Sequence, residues 1–299
     1  MADHLTDASA LARVRSSLLA WYATDHRDFP WRHTTDPYAV LVSEVMLQQT
    51  QASRIAERFP IFMRRFPTAA SLAAAPEADV LAAWSGLGYN RRALALRRTA
   101  AAVASYGWPR DVAALERLPG IGPYTARALA SLAFGEAVGV VDTNVRRWLV
   151  RRFGLSPAAQ PRQLQPLAAA LAVAGVASDA GSWTHATMEF GARICTPRNP
   201  ACETCPISDG CPSRGLPTIV PTPRQATFAG SDRAHRGAVI RALTENRRHA
   251  LTMRAVRGML PEGAVERVIG GLERDGLLHR AGDRLVLGGL PEPIATIGA

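Results

Sequence analysis

The chain has 299 residues, 47% of them hydrophobic and 20% charged, an ordinary globular composition with length for roughly two or three domains and not that of a largely disordered chain. Its 35 basic residues against 25 acidic ones give a net charge of +10, and every one of the 35 is arginine. With no lysine, mechanisms that need a lysine nucleophile, a Schiff-base lysine or a phosphate-loop lysine are excluded. Guanidinium forks favour a polyanion such as nucleic acid, and an arginine-rich solubilising surface is the bland alternative. No segment approaches the roughly 18 apolar residues that span a bilayer. The opening MADHLTDAS lacks an apolar signal core, so the expectation is a cytoplasmic protein, with no membrane partner.

Taken in chain order, the pattern is strongly helical. Alanine and leucine recur with helical spacing and predict helices at 8–24, 37–48, 52–66, 71–75, 77–85, 91–106, 111–115, 124–133, 143–152, 162–174 and 182–194. Asp36-Pro37 and Pro76-Glu77 are start signals. From Cys195 to Pro223 proline, cysteine and glycine take over, and 216–230 reads as a linker. Beyond it come helical patterns at 233–246, 253–259 and 263–275, then two apolar stretches around Ala281-Gly282-Asp283 that predict a β-hairpin. Three short helices and a hairpin suggest a small winged-helix-like unit at 231–299.

All four cysteines fall in one stretch, Cys195, Cys202, Cys205 and Cys211, spaced C-x6-C-x2-C-x5-C. Four thiolates so close wrap either a zinc ion or an iron–sulfur cluster. Structural zinc sites usually have two close pairs, whereas this stretch has one, so the spacing leans to a [4Fe–4S] cluster. Arg193 and Arg198 flank the loop, where they could meet phosphate.

In LPGIGPYTARAL, Gly120 and Gly122 bracket Ile121 just before Pro123 opens a helix. Such a turn directs backbone N–H groups outward beside a helix N-terminus and fits a phosphate; a plain helix–turn–helix corner is the alternative. Asp142, in VVDTNVRRW, reads by itself as a helix N-cap, and Asn144 as helix surface. Glu44, in SEVMLQQTQ, lies on an apolar helical face with Val40, Leu41, Val45 and Leu47. A desolvated carboxyl there is suited to general acid work, and a solvated surface glutamate is the alternative.

The segments FPWR, SEVMLQQTQ, WSGLGYNRRA, LPGIGPYTA and VVDTNV, followed by the cysteine cluster, occur in this order over residues 10–215. Together they resemble the helix–hairpin–helix DNA glycosylases with an iron–sulfur cluster, the endonuclease III superfamily, and within it the adenine DNA glycosylases of the MutY family. The resemblance implies an all-α, two-lobed fold with the target nucleotide flipped into a cleft. It places residues 1–28 with 143–215 in an iron–sulfur lobe and 29–142 in a six-helix lobe with the helix–hairpin–helix. The cofactor it implies is a [4Fe–4S] cluster, and the partner double-stranded DNA with a mismatch or oxidised base, bound by a monomer near the nucleoid.

Carried over by position, Glu44 matches the general acid that protonates adenine, Asp142 the carboxylate that stabilises the oxocarbenium-like sugar, and Asn144 its polar partner. Tyr124 stands where bifunctional relatives have a catalytic lysine. Arg32, Gln48 and Tyr89, with Leu47 beside them, match residues that line the base pocket or enter the DNA stack, and Gly120 and Gly122 the hairpin. Many members have a second tyrosine where this chain has Asn90, and a Nudix-like C-terminal domain where this chain suggests a winged helix. The expected activity is monofunctional removal of adenine opposite 8-oxoguanine or guanine. The rivals are a thymine or uracil mismatch glycosylase on the same fold and a non-catalytic iron–sulfur DNA-binding regulator. For the C-terminal unit, the acidic residues of 263–275 favour packing or a weak DNA contact over sequence reading.

Overall fold

The computed structural model describes residues 7–175, 179–216, 219–221 and 227–289; parts of the 216–230 linker lie outside them. By contacts the chain divides into two compact units, residues 1–44 with 108–224 and residues 45–107 with 225–299. These cuts fall at other places than the lobes expected from sequence, and the first lies within a single helix.

The first unit contains α1 (Ala8–Thr24) and most of α2 (Pro37–Leu47), which crosses into the second. In the second unit follow α3 (Ala52–Arg65), α4 (Ala69–Ala74), α5 (Glu77–Ala83) and α6 (Arg91–Tyr106). The chain returns to the first unit with α7 (Val112–Glu116), α8 (Pro123–Leu132), α9 (Thr143–Phe153), α10 (Pro161–Val173) and α11 (Ala180–Arg193). Local chemistry sets these bounds. Asp7, Asp111, Asp142 and Asp179 each accept first-turn N–H groups of the helices they precede. Thr68 and Ser71 form a capping box that starts α4 two residues before the predicted position. Gly154 ends α9 in the left-handed conformation.

The first unit packs around Leu11, Leu18, Trp148, Leu149, Leu171 and Phe190, with Trp21 and Trp148 each meeting Phe190 edge-on at 5.9 Å. In the second unit α4 lies against α6, and Trp84 and Phe62 are fully enclosed.

The C-terminal part of the second unit is α12 (Asp232–Glu245), β1 (Ala250–Thr252), α13 (Met253–Met259), α14 (Val265–Arg274), β2 (Leu278–Ala281) and β3 (Arg284–Leu287). Val265, Val268, Ile269 and Leu272 put one apolar stripe of α14 into its core. The antiparallel sheet has the order β1-β3-β2, with Val286 opposite both Ala250 and His279. The predicted hairpin is β2–β3; β1 was not expected from sequence, since three residues are too few to show alternation. The unit docks through α12 and β3 on α5, and the Gly289 N–H donates to Glu77 Oε2 at 2.9 Å. The described residues are therefore mainly helical with one small sheet. Among the described residues no helix is long and apolar enough to cross a membrane.

Candidate active site

Helix α2 is enclosed on nearly every side, which leaves Glu44 only 5% exposed among apolar neighbours. Burial pushes its carboxyl up to about 7, and the nearby Asp142 adds to the rise. The Tyr124 hydroxyl, from the first turn of α8, donates to Glu44 and opposes that shift in part. Burial and the two carboxylates hold the Tyr124 phenol well above its usual range, so it remains a neutral donor. The same hydroxyl lies 3.9 Å from Met188 Sδ on α11.

Asp142 is the N-cap of α9, as its sequence context suggests, and the cap is what orients it. Oδ1 accepts the Val145 N–H at 2.6 Å, and Oδ2 accepts the Asn144 side-chain amide at 2.8 Å. Burial raises the Asp142 carboxyl, whereas these donors and Arg147 favour its charge. Glu44, Tyr124, Asp142 and Asn144 are thus brought together within the first unit. Two carboxyls share a poorly hydrated site, one held near neutrality and the other supported by donors.

Asn144 leads onward to the cysteine loop. Its Oδ1 accepts from Arg147 at 2.9 Å, and Arg147 also donates to the Cys195 carbonyl at 2.7 Å and to the Gly191 carbonyl. Gly191 lets α11 approach this closely, since a Cβ there would stand 2.7 Å from the Asn144 carbonyl oxygen.

The four cysteines line one pocket with Trp148, Arg151, Arg152, Phe190 and Ile194. Arg151 donates to the Thr196 and Pro197 carbonyls at 2.6 and 2.9 Å and approaches Cys195 Sγ at 3.5 Å; Arg152 donates to the Gly210 carbonyl at 3.1 Å. None of the thiols is in a disulfide. Burial pushes the Cys205 thiol up to about 11, so thiolates here need a cationic centre to balance them. Among the described residues the buried Trp148 Nε1 and Arg152 Nε groups have no acceptor, and both residues line the pocket. Among the described residues no three His, Cys, Asp or Glu side chains converge as on a single metal ion. A cluster carrying its own sulfides as acceptors fits this donor set better than one zinc.

Arg32 is tied into an ion-pair group that the sequence did not reveal. Arg32 and Arg27 donate to Glu189 of α11 at 2.7 to 2.9 Å, and Glu189 is 1% exposed. These bonds draw Glu189 down to about 2 despite its burial. Its signal was a lone carboxylate in the predicted helix 182–194, easily taken for surface. Arg193 likewise pairs with Asp25 at 2.8 Å, so the loop-flanking role expected for it is taken by a contact within the unit; Arg198 is exposed.

Gly120, with φ +77°, makes the turn that a side chain would strain, while Gly122 caps α8 and faces open space. Both are exposed, at the start of a helix whose first N–H groups have no acceptor within it. Leu47, Gln48 and Tyr89 belong to the second unit. Arg92, absent from the expected set, binds their loops together through the Val45, Gln48, Leu87 and Gly88 carbonyls.

Residues 42–171 match the family model for HhH-GPD superfamily base excision DNA repair proteins, and residues 195–211 that for the iron-sulfur binding domain of endonuclease III. Residues 195–211, which contain all four cysteines, are therefore the iron–sulfur binding segment, and the cofactor is a [4Fe–4S] cluster. A thermostable thymine-DNA glycosylase structure has a TM-score of 0.64 and 34% identity over 70% of this chain and 99% of that one. An adenine DNA glycosylase of Homo sapiens is 40% identical over 70% of this chain and 40% of its own length. One of Mycobacterium tuberculosis is 43% identical over 236 residues, 76% of this chain and 77% of that one. With that much of both sequences shared, and with the helix–hairpin–helix and cysteine loop in place, the chain belongs to the adenine DNA glycosylase family of base excision repair enzymes.

Proposed function

We propose that this protein is a monofunctional DNA glycosylase, a cytoplasmic, nucleoid-associated monomer that removes adenine mispaired with 8-oxoguanine or guanine. The observation that carries this reading is the pairing of Glu44, protonated near neutral pH, with a donor-supported Asp142 in a chain without lysine. Glu44 delivers its proton to a ring nitrogen of the flipped adenine. The N-glycosidic bond breaks with its electron pair on the base, and the Asp142 carboxylate stabilises the positive charge that develops on the sugar. Water then adds to the anomeric carbon and its proton goes to the Glu44 carboxylate, restoring the acid and leaving an abasic site. Asn144 and the α9 N-terminus hold Asp142, and Tyr124 orients Glu44. No lysine amine is present to attack the sugar, so strand cleavage through a lysine Schiff base is not expected.

The cluster chemistry is structural on this reading, because all four thiols are committed as ligands. Gly120 and Gly122 present backbone N–H groups to a phosphate. Single-turnover assays on duplexes with A opposite 8-oxoguanine, G or C, and with T or U opposite G, test the assignment. Release of adenine from the first two supports it. Release of thymine or uracil alone would move the protein to the thymine or uracil glycosylases; a thymine/uracil-DNA glycosylase of Methanothermobacter thermautotrophicus is 36% identical over 66% of this chain.

A further inference from the structure

Gln49 and Tyr89 adopt the left-handed backbone region, at φ +56° and +48°, that L side chains rarely occupy. One guanidinium holds both loops there. Arg92 donates to the Gln48 carbonyl on one side and to the Leu87 and Gly88 carbonyls, at 3.2 and 3.1 Å, on the other, and lies 5.4 Å from the Tyr89 ring centroid. The Tyr89 side chain nevertheless reaches solvent, with the residue 38% exposed. Strain retained at an exposed aromatic residue marks a place where the fold serves something other than its own packing.

The C-terminal part of the unit meets Tyr89 there. Arg233, in the first turn of α12, donates to the Tyr89 hydroxyl at 3.1 Å, and its guanidinium lies 5.2 Å from the ring centroid of Phe228. Phe228 is 58% exposed. An aromatic ring, a guanidinium and a second aromatic ring therefore follow one another on an open surface. Around α14, most of the charges are paired within the winged-helix-like part. Arg267 pairs with Asp232, Arg280 with Glu266 and Glu273, and Arg236 with Asp275. Helix α14, which a winged helix would usually lay in a major groove, thus offers a neutralised face.

We propose that Phe228, Arg233 and Tyr89 form one contact surface for duplex DNA, and that the C-terminal part of the chain joins the DNA-binding apparatus through it and not through α14. Exposed aromatic rings stack nucleobases, and a guanidinium beside them pairs with phosphate. Arg233 also fixes the hydroxyl of Tyr89, so the added part sets how the Tyr89 loop is presented. The inference rests on the reading above that the substrate is duplex DNA.

The test is fluorescence anisotropy of the full-length, iron-loaded protein on a labelled duplex with adenine opposite 8-oxoguanine, over a range of salt. Arg233→Ala should weaken binding about tenfold and reduce the salt slope by about one. Phe228→Ala should weaken it about fivefold with the slope unchanged. Arg254→Ala, which removes the same charge from an exposed position on α13, should change the Kd by less than about twofold. Tyr89→Phe deletes the hydroxyl that Arg233 holds, so Arg233→Ala should cost less in that background than alone. Wild-type affinity in Arg233→Ala, equal losses in Arg233→Ala and Arg254→Ala, or strict additivity with Tyr89→Phe would each overturn the proposal. Iron content and circular dichroism establish that each variant is folded. Binding is read without turnover, so failure of the wild-type protein to release adenine would refute the proposed activity and leave this measurement intact.

Discussion

Replacing Glu44 with glutamine should inactivate the enzyme and, above neutral pH, stabilise it. The carboxyl moves from its ordinary 4.5 in water to about 7 in the folded protein because it is buried. At about 1.4 kcal/mol per tenfold change in proton affinity, that displacement corresponds to about 3 kcal/mol. The folded state binds this proton more tightly than the unfolded chain does. Stability therefore falls as pH rises from 4.5 to 7, and the full penalty is present above the folded pKa. Glutamine buries no charge and escapes the penalty, although Tyr124 then donates to a neutral acceptor in place of a carboxylate and part of the gain is offset. Glu44→Gln should thus match wild type near pH 4.5 and exceed it at pH 8 by about 1 to 3 kcal/mol. Urea unfolding of the iron-loaded proteins at pH 5 and pH 8 reads the difference in midpoint. Excision should fall at least about 100-fold, since an amide supplies no proton. A midpoint difference that is the same at both pH values would show that Glu44 is not held neutral by burial, and the general acid assignment would lose its physical basis.

Asp142→Asn should abolish excision while leaving DNA affinity near wild type, because its charge matters as positive charge grows on the sugar; turnover within tenfold of wild type would remove Asp142 from the mechanism. The single-turnover pH profile should be bell-shaped. Rates should rise on the acid side as Asp142 ionises at a pH above its ordinary 3.8, and fall above about 7 as Glu44 loses its proton. A rate that keeps climbing through pH 8 is incompatible with a protonated Glu44. Purified protein should be brown and contain about four irons per chain, lost together with the fold of the cysteine loop on chelation; one zinc in a colourless protein would leave the ligands but change the cofactor.

The helices were legible because their signals are local. Alanine and leucine periodicity, with Asp or Pro at the starts, gave most bounds to within two residues, while the cysteine spacing only leaned to the iron–sulfur cofactor that the family resemblance implied. The departures come from interactions that span the chain. By resemblance Arg32 of FPWR matches a residue that lines the base pocket or enters the DNA stack, and nothing local shows that Glu189, more than 150 positions away, binds it. Arg92 is one arginine among many until the backbone of two loops is placed around it. Strand β1 exists because β3 pairs with it, and three residues of Ala-Leu-Thr give no alternation to detect.

At Asp142 the structural role and the chemical role proposed for it are compatible. Its carboxylate caps α9 through Val145, the use that sequence statistics favour. That cap is also what aims it. With Oδ1 held by the helix N-terminus and Oδ2 by Asn144, the group cannot turn away to find water, and the donors support a charge that burial opposes. Asn144 is set by Arg147, and Arg147 by the carbonyls of Gly191 and Cys195, so the orientation of the carboxylate is inherited from the packing of α11 and the cysteine loop. Glu44 is also deeply buried but has fewer donors, and its pKa rises to about 7. Burial raises both carboxyls, but more donors oppose the rise at Asp142 than at Glu44, and that unequal support is the asymmetry that an acid and a charge stabiliser require.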